Sequence, residues 1–174
     1  TLFEFDSSRS AQPFKLLTEF PFSSDPIGGI ILANDGNLYG TTSSGGDFNH
    51  GTIYKVNLNS VSTTVEVIYS FNYPEASGPR SKLLQGSNGK FYGTTVSGGI
   101  AGHGTVFQFD PTIAVPTHAV IYDFKGNNGI TYLDGSEPGQ LIQGNDGQFY
   151  GNTKFGGRLG GASDGGGVIF RINQ

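Results

Sequence analysis

One motif occurs three times and limits what this chain can become. Asp35-Gly36-Asn37-Leu38-Tyr39-Gly40-Thr41-Thr42 is followed by Gly45-Gly46 and then Gly51-Thr52-Ile53-Tyr54. It returns as Asn88-Gly89-Lys90-Phe91-Tyr92-Gly93-Thr94-Thr95, with Gly98-Gly99 and Gly104-Thr105-Val106-Phe107. The third copy is Asp146-Gly147-Gln148-Phe149-Tyr150-Gly151-Asn152-Thr153, with Gly156-Gly157 and Gly167-Val168-Ile169-Phe170. A chain of such units must stack them, because a single unit has no partner for its apolar face.

Apolar and polar residues alternate with period two, which predicts strands. Tyr54, Val56 and Leu58 share one face, and after a turn Val65, Val67, Tyr69 and Phe71 line one face against Glu66 and Ser70. Phe107 with Phe109, Phe170 with Ile172, and Phe3 with Phe5 repeat the inward pattern. Measured at that strand, from Thr1 to Thr52, Thr105 and Val168, the spacing is 51, 53 and 63 residues. The last interval is lengthened partly by the glycine loop between Gly157 and Gly167, where insertions cost little.

Each unit reads as four strands. Strand a (Gly29–Ala33, Lys82–Gln85, Gln140–Gln143) ends in Asp-Gly or Asn-Gly, the pair that favours a type I′ hairpin. Strand b is Asn37–Thr42 and its equivalents, and strand c begins at Thr52. Strand d is Val65–Phe71, Ala119–Phe124 and, at the start, Phe14–Phe20. Pro26, Pro79 and Pro138 recur between strand d and the next strand a, where a fixed φ suits a rigid turn into a new sheet. Four-stranded antiparallel meanders of about 50 residues in tandem predict an all-β fold of β-propeller blades.

These residues carry a family resemblance. Asp-Gly, Tyr-Gly-Thr-Thr, Gly-Gly and Gly-Thr-Val-Phe at this spacing resemble the GloVer tandem repeat of bacterial secreted and surface-anchored proteins, over nearly the whole chain. The third copy departs, with Asn152 for Thr, Val168 for Thr and an expanded glycine loop. The resemblance implies an extracellular or cell-surface location and carries over no catalytic residue.

The array is expected to be single over 1–174: strands c-d at 1–22, repeats at 23–71 and 72–124, and an incomplete third at 125–174. Thirteen strands in the order c-d, a-b-c-d, a-b-c-d, a-b-c make about three blades, too few for a ring of four to eight. Self-association therefore follows, in one of two ways. The first strand d could complete the a-b-c set of another copy, giving a dimeric ring or a filament. Otherwise the missing blades belong to a longer chain, and with no Met present Thr1 marks a processed chain or an excised piece.

Composition narrows the partners. A net charge of −4 with scattered basic residues offers no footprint for nucleic acid. No apolar run is long enough for a helical membrane span, so no membrane insertion is expected. Without Cys there is neither a disulfide framework nor a thiolate site.

The loops that differ among copies form the candidate ligand-binding face: His50, His103, Arg158, Asp164, Glu75, Arg80 and Tyr132, beside Asp25, Asp47, Asp134 and Glu137. His50 and His103 hold equivalent positions, and the reading favoured is that each orders its glycine-rich loop; no third His or Cys supports tetrahedral zinc, so no metal or cofactor is assigned. Tyr39, Tyr92 and Tyr150 are expected to pack between blades with each hydroxyl finding a backbone partner. Glu75, Asp134 and Glu137 could pair for glycosidic chemistry, but no catalytic residue is assigned. The leading function is a non-catalytic extracellular structural, adhesion or binding module. A lectin binding glycan through its loops is the alternative, and a polysaccharide or small-molecule lyase or hydrolase is a more distant one.

Overall fold

A computed structural model describes residues 1–8, 13–20, 24–60, 63–113, 117–126, 134–157 and 166–173. Among these the chain is all β, with fifteen strands in four antiparallel sheets. The first sheet pairs β1 (Leu2–Phe5) with β2 (Phe14–Thr18). The second is the meander β3 (Ile30–Leu32), β4 (Leu38–Thr42), β5 (Thr52–Val56) and β6 (Val65–Ser70). The third holds β7 (Ser77–Pro79), β8 (Leu84–Gln85), β9 (Phe91–Ser97), β10 (Thr105–Asp110) and β11 (Thr117–Asp123). The fourth holds β12 (Ser136–Pro138), β13 (Ile142–Gln143), β14 (Phe149–Phe155) and β15 (Ile169–Ile172). The expected a-b-c-d order is therefore present in the second and third sheets, c-d in the first and a-b-c in the fourth.

Three local readings need correction. The hairpins are not type I′: Gly36, Gly89 and Gly147 have φ near +80°, but Asp35, Asn88 and Asp146 do not. Instead Gly36 N–H bonds Ala33 O and Ala33 N–H bonds Asn37 O, a turn closed by one left-handed glycine. The Asp35 carboxylate accepts Asn37 N–H at 3.0 Å, which holds the residue before the glycine in a right-handed conformation. Second, Pro79 and Pro138 do not merely turn the chain. They lie in the short strands β7 and β12, which pair with the far ends of β9 and β14, so there are two strands more than the thirteen expected. A proline fits there because a neighbouring residue donates instead: Gly78 N–H and Glu137 N–H both bond the preceding unit.

Third, strand d does not present one apolar face. The register slips between Ile53 and Tyr54, and again between Val106 and Phe107, leaving Ile68 and Ile121 without direct partners. Such bulges re-aim the side chains. Phe71 is consequently fully buried while Val67 is 45% exposed.

The cores lie between successive sheets. Tyr39, Ile53 and Phe71 of the second unit region meet Leu83, Phe91, Phe107 and Phe109 of the next. Tyr92, Val106 and Phe124 then meet Leu141 and Phe149. One ring contact recurs at each step: Phe20 on Tyr54, Phe71 on Phe107 and Phe124 on Phe170, with centroids 4.9, 5.1 and 5.1 Å apart and edge-on planes. A second joins strand b to strand b, Tyr39 to Phe91 and Tyr92 to Phe149, at 4.6 and 4.2 Å. Each such pair contributes roughly 0.5–1.5 kcal/mol beyond the area it buries.

Candidate functional site

The repeated threonine pair divides its work. The second threonine ties its own sheet: Thr42 Oγ1 lies 2.7 Å from Thr52 Oγ1 and donates to Ser44 O, and Thr95 does the same with Thr105 and Ser97. The first reaches the next unit. Thr41 Oγ1 donates to Ser81 O at 3.3 Å, and Thr94 Oγ1 to Gly139 O at 2.9 Å. All are buried, so they are joints of the fold and have no free hydroxyl to offer a ligand.

The histidine-glycine steps are joints as well. His50 O accepts Gly78 N–H at 2.9 Å, and His103 O accepts Glu137 N–H at 3.1 Å. The His50 ring lies 3.0 Å, Nδ1 to Oγ, from Ser77 of the next unit. Gly51 and Gly104 must be glycine: φ is near +100°, and an added Cβ would meet Pro79 Cδ at 2.6 Å or Pro138 Cδ at 2.7 Å.

The tyrosine hydroxyls find side-chain partners in place of the backbone partners expected. Tyr39 donates to Asp35 at 2.8 Å and Tyr150 to Asp146 at 2.6 Å, while Tyr92 accepts from the Asn88 amide at 2.8 Å. The hydrogen bond from Tyr150, with the Gln148 N–H, holds the Asp146 carboxyl below the usual carboxylate range. Burial pushes the Tyr54 phenol up to about 12. The hydroxyls of Tyr39, Tyr92 and Tyr150 therefore serve the hairpins.

Where the joints end, a cleft opens. It has a volume of about 630 Å³ and collects the segments entering three sheets: Ile27 to Gly29, Arg80 to Lys82, and Glu137 to Gln140. Val96, Asn152 and Lys154 complete it from β9 and β14. Lys154 Nζ pairs with Glu137 Oε2 at 3.1 Å. Arg80 and Lys82 form no ion pair among the described residues, so the cleft carries excess positive charge in a chain of net charge −4.

The same grammar of hairpin, threonine pair and glycines now decides the family. A model of the Gloeobacter/Verrucomicrobia repeat matches residues 1–174, the whole chain. The chain belongs to that family. No curated protein shows a match. The resemblance to GloVer repeats drawn from the motif alone therefore stands.

Within this Gloeobacter/Verrucomicrobia repeat array, the expected binding residues do not gather in one place. Arg80 lines the cleft. Glu75 lines a separate groove with Pro74, Ile100, Val120 and Asp123. His50 and His103 sit at the joints, and the His103 ring covers Gly126. Arg158, Asp164 and Tyr132 lie outside the described residues, with most of the two long loops that set the third unit apart. Asp134 accepts from the Tyr122 hydroxyl and from Lys125 N–H, and so is spent on its own loop.

Sequence reasoning missed Lys82, Lys154 and His118. Lys154 carried a signal, since it replaces Val96 of the preceding repeat. His118 carried none, being a lone imidazole in a strand, yet its side chain is buried between the second and third sheets against Tyr69, Phe71 and Phe107. Among the described lining residues of the cleft, Glu137 is the single carboxylate, and it is paired.

Proposed function

We propose that the chain is a non-catalytic extracellular or cell-surface module of β-propeller blades, structural or adhesive in role, which adds further repeat units through its terminal sheets. The observation that carries this reading is the recurring ring contact from Phe20 to Tyr54, Phe71 to Phe107 and Phe124 to Phe170. Three near-equal steps between successive sheets are what neighbouring blades of a propeller would show. Among the described residues β15 has no strand d beside it, whereas β5 and β10 each pair with one. Ile169 on that strand is 87% exposed, and Phe3, Phe5, Phe14 and Leu16 are exposed on the first sheet.

In this assembly β2 of one copy leaves β1 and takes the free edge of β15 in another. The register follows from Lys55 opposite Glu66 and from Glu4 opposite Lys15, and it sets Lys15 opposite Arg171 of the second copy. Because the chain has no Cys, the test is clean. Equimolar Lys15→Cys and Arg171→Cys proteins, mixed and oxidised, are expected to form a mixed disulfide, with light scattering reporting a mass above 18.4 kDa. A folded 18.4 kDa monomer that yields no cross-link rejects the exchange.

The lectin reading has one observation in its favour, the open cleft lined by Arg80, Lys82, Asn152 and Lys154. Glycosidic catalysis lacks the second carboxylate there among the described residues.

A further inference from the structure

A repeat shows what each position is for, so a position where one unit departs is informative. Glu137, Asn152 and Lys154 stand where the preceding unit has Gly78, Thr94 and Val96, as the strand registers fix. All three departures line the one cleft that also holds Arg80 and Lys82.

The first departure has a cost. Gly78 has φ +66°, which glycine accepts freely, whereas Glu137 keeps nearly the same backbone at +52°. Holding a non-glycine residue there costs on the order of 1 kcal/mol. Its exposed pairing with Lys154 offsets little of that, because surface pairs contribute about 0–1 kcal/mol. What the pair does achieve is position: Lys154 is held at one wall of the cleft. Elsewhere in the lining the stem of Lys82 lies over Gly29, 3.8 Å from where a Cβ would stand. Arg80 adds a guanidinium, whose fork fits a carboxylate.

The remaining surface is mixed. Asn152 offers an amide, and Ile27 and Val96 offer apolar wall. Ser81 is already committed, its hydroxyl 2.8 Å from Thr94 Oγ1. A small inorganic anion would occupy only a minor part of about 630 Å³ and leave the amide and the apolar wall unused. A sugar ring bearing a carboxylate uses all three kinds of group, with C–H faces on the apolar wall and hydroxyls on the amide.

We propose that this cleft binds an acidic saccharide, a uronic acid residue or short chain, with its carboxylate between Arg80 and Lys82. The proposal goes beyond the structural reading and does not depend on assembly: the cleft is built within one chain, and binding is measured separately from mass. Calorimetric titration with a galacturonic acid trisaccharide at low salt is expected to show binding at least about tenfold tighter than for the neutral galactose trisaccharide of the same linkage, a difference that shrinks at high salt. The double variant Arg80→Ala/Lys82→Ala is expected to lose that preference, Lys15→Ala to keep it, and Glu137→Gln, which frees Lys154, to tighten binding. If the double variant does not fold, Lys82→Gln alone must weaken the acidic ligand severalfold. Equal binding of acidic and neutral trisaccharides overturns the proposal. So does a folded double variant that binds as the unaltered chain does, or inorganic phosphate bound as tightly as the acidic trisaccharide.

Discussion

The His118 imidazole of β11 lies flat on the Tyr69 ring of β6, with centroids 4.9 Å apart and planes inclined by 19°. Phe71 and Phe107 close around it, its side chain is 1% exposed, and neither ring nitrogen has a hydrogen-bond partner. The charged group facing it is Glu75, 3.5 Å from Nδ1. Burial lowers the pKa of this histidine below its ordinary 6.5, and Glu75 opposes the shift only in part.

A neutral buried histidine makes stability depend on acid. The unfolded chain binds the proton more readily than the folded one, so the contribution is full above about pH 6.5 and is lost as pH falls below it. Thermal melts between pH 8 and pH 5 are expected to show a falling midpoint. His118→Phe keeps the ring packing and should flatten that slope without lowering the midpoint at neutral pH. An unchanged slope in the variant would remove His118 as the cause.

Thr94→Val keeps shape and deletes the hydroxyl that bonds Gly139 O and Ser81 Oγ. Losing these part-buried bonds, while Thr94 N–H still bonds Ser81 Oγ, should cost about 0.5–1.5 kcal/mol in urea unfolding. Thr41→Val should cost less, since its bond to Ser81 O is the longer at 3.3 Å.

Gly104→Ala puts a methyl against Thr95 O and Pro138 Cδ at a φ of +98°. Strain and clash together should cost at least about 2 kcal/mol. Gly89→Ala is the control: its φ is +82°, but nothing lies within 4 Å of the added carbon, so the loss should be limited to about 1 kcal/mol.

Val168→Thr restores the residue that the other two repeats carry. Val168 N–H already bonds Thr153 Oγ1 at 3.0 Å, as Thr52 and Thr105 N–H bond Thr42 and Thr95. A hydroxyl there can add the Thr–Thr contact seen at 2.7 and 2.8 Å, for a gain of about 0.5–1 kcal/mol measured by chemical denaturation.

The meanders were legible because three copies of one pattern sample the same physics. Tyr39, Gly40, Thr41 and Thr42 each have a fixed neighbour, and period-two alternation with turn glycines is enough to place them. The cleft was not legible, since Lys82, Asn152 and Lys154 meet only through the stacking of separate sheets, and no local pattern encodes that meeting. Two errors have local causes. The bulge opposite Ile53 and Tyr54 breaks alternation inside strand d, and an Asp or Asn before glycine can hold a turn through its side chain instead of adopting positive φ itself.

The bonds from Gly78 N–H to His50 O and from Glu137 N–H to His103 O involve main-chain atoms alone. Such a coupling is blind to the side chain it carries, so glycine in one unit and glutamate in the next leave the connection intact. The array resembles a rail on which fittings can be exchanged: its mechanical continuity and its surface chemistry are free to change independently. The exposed chemistry can therefore diverge from copy to copy while the spine that holds the copies together does not.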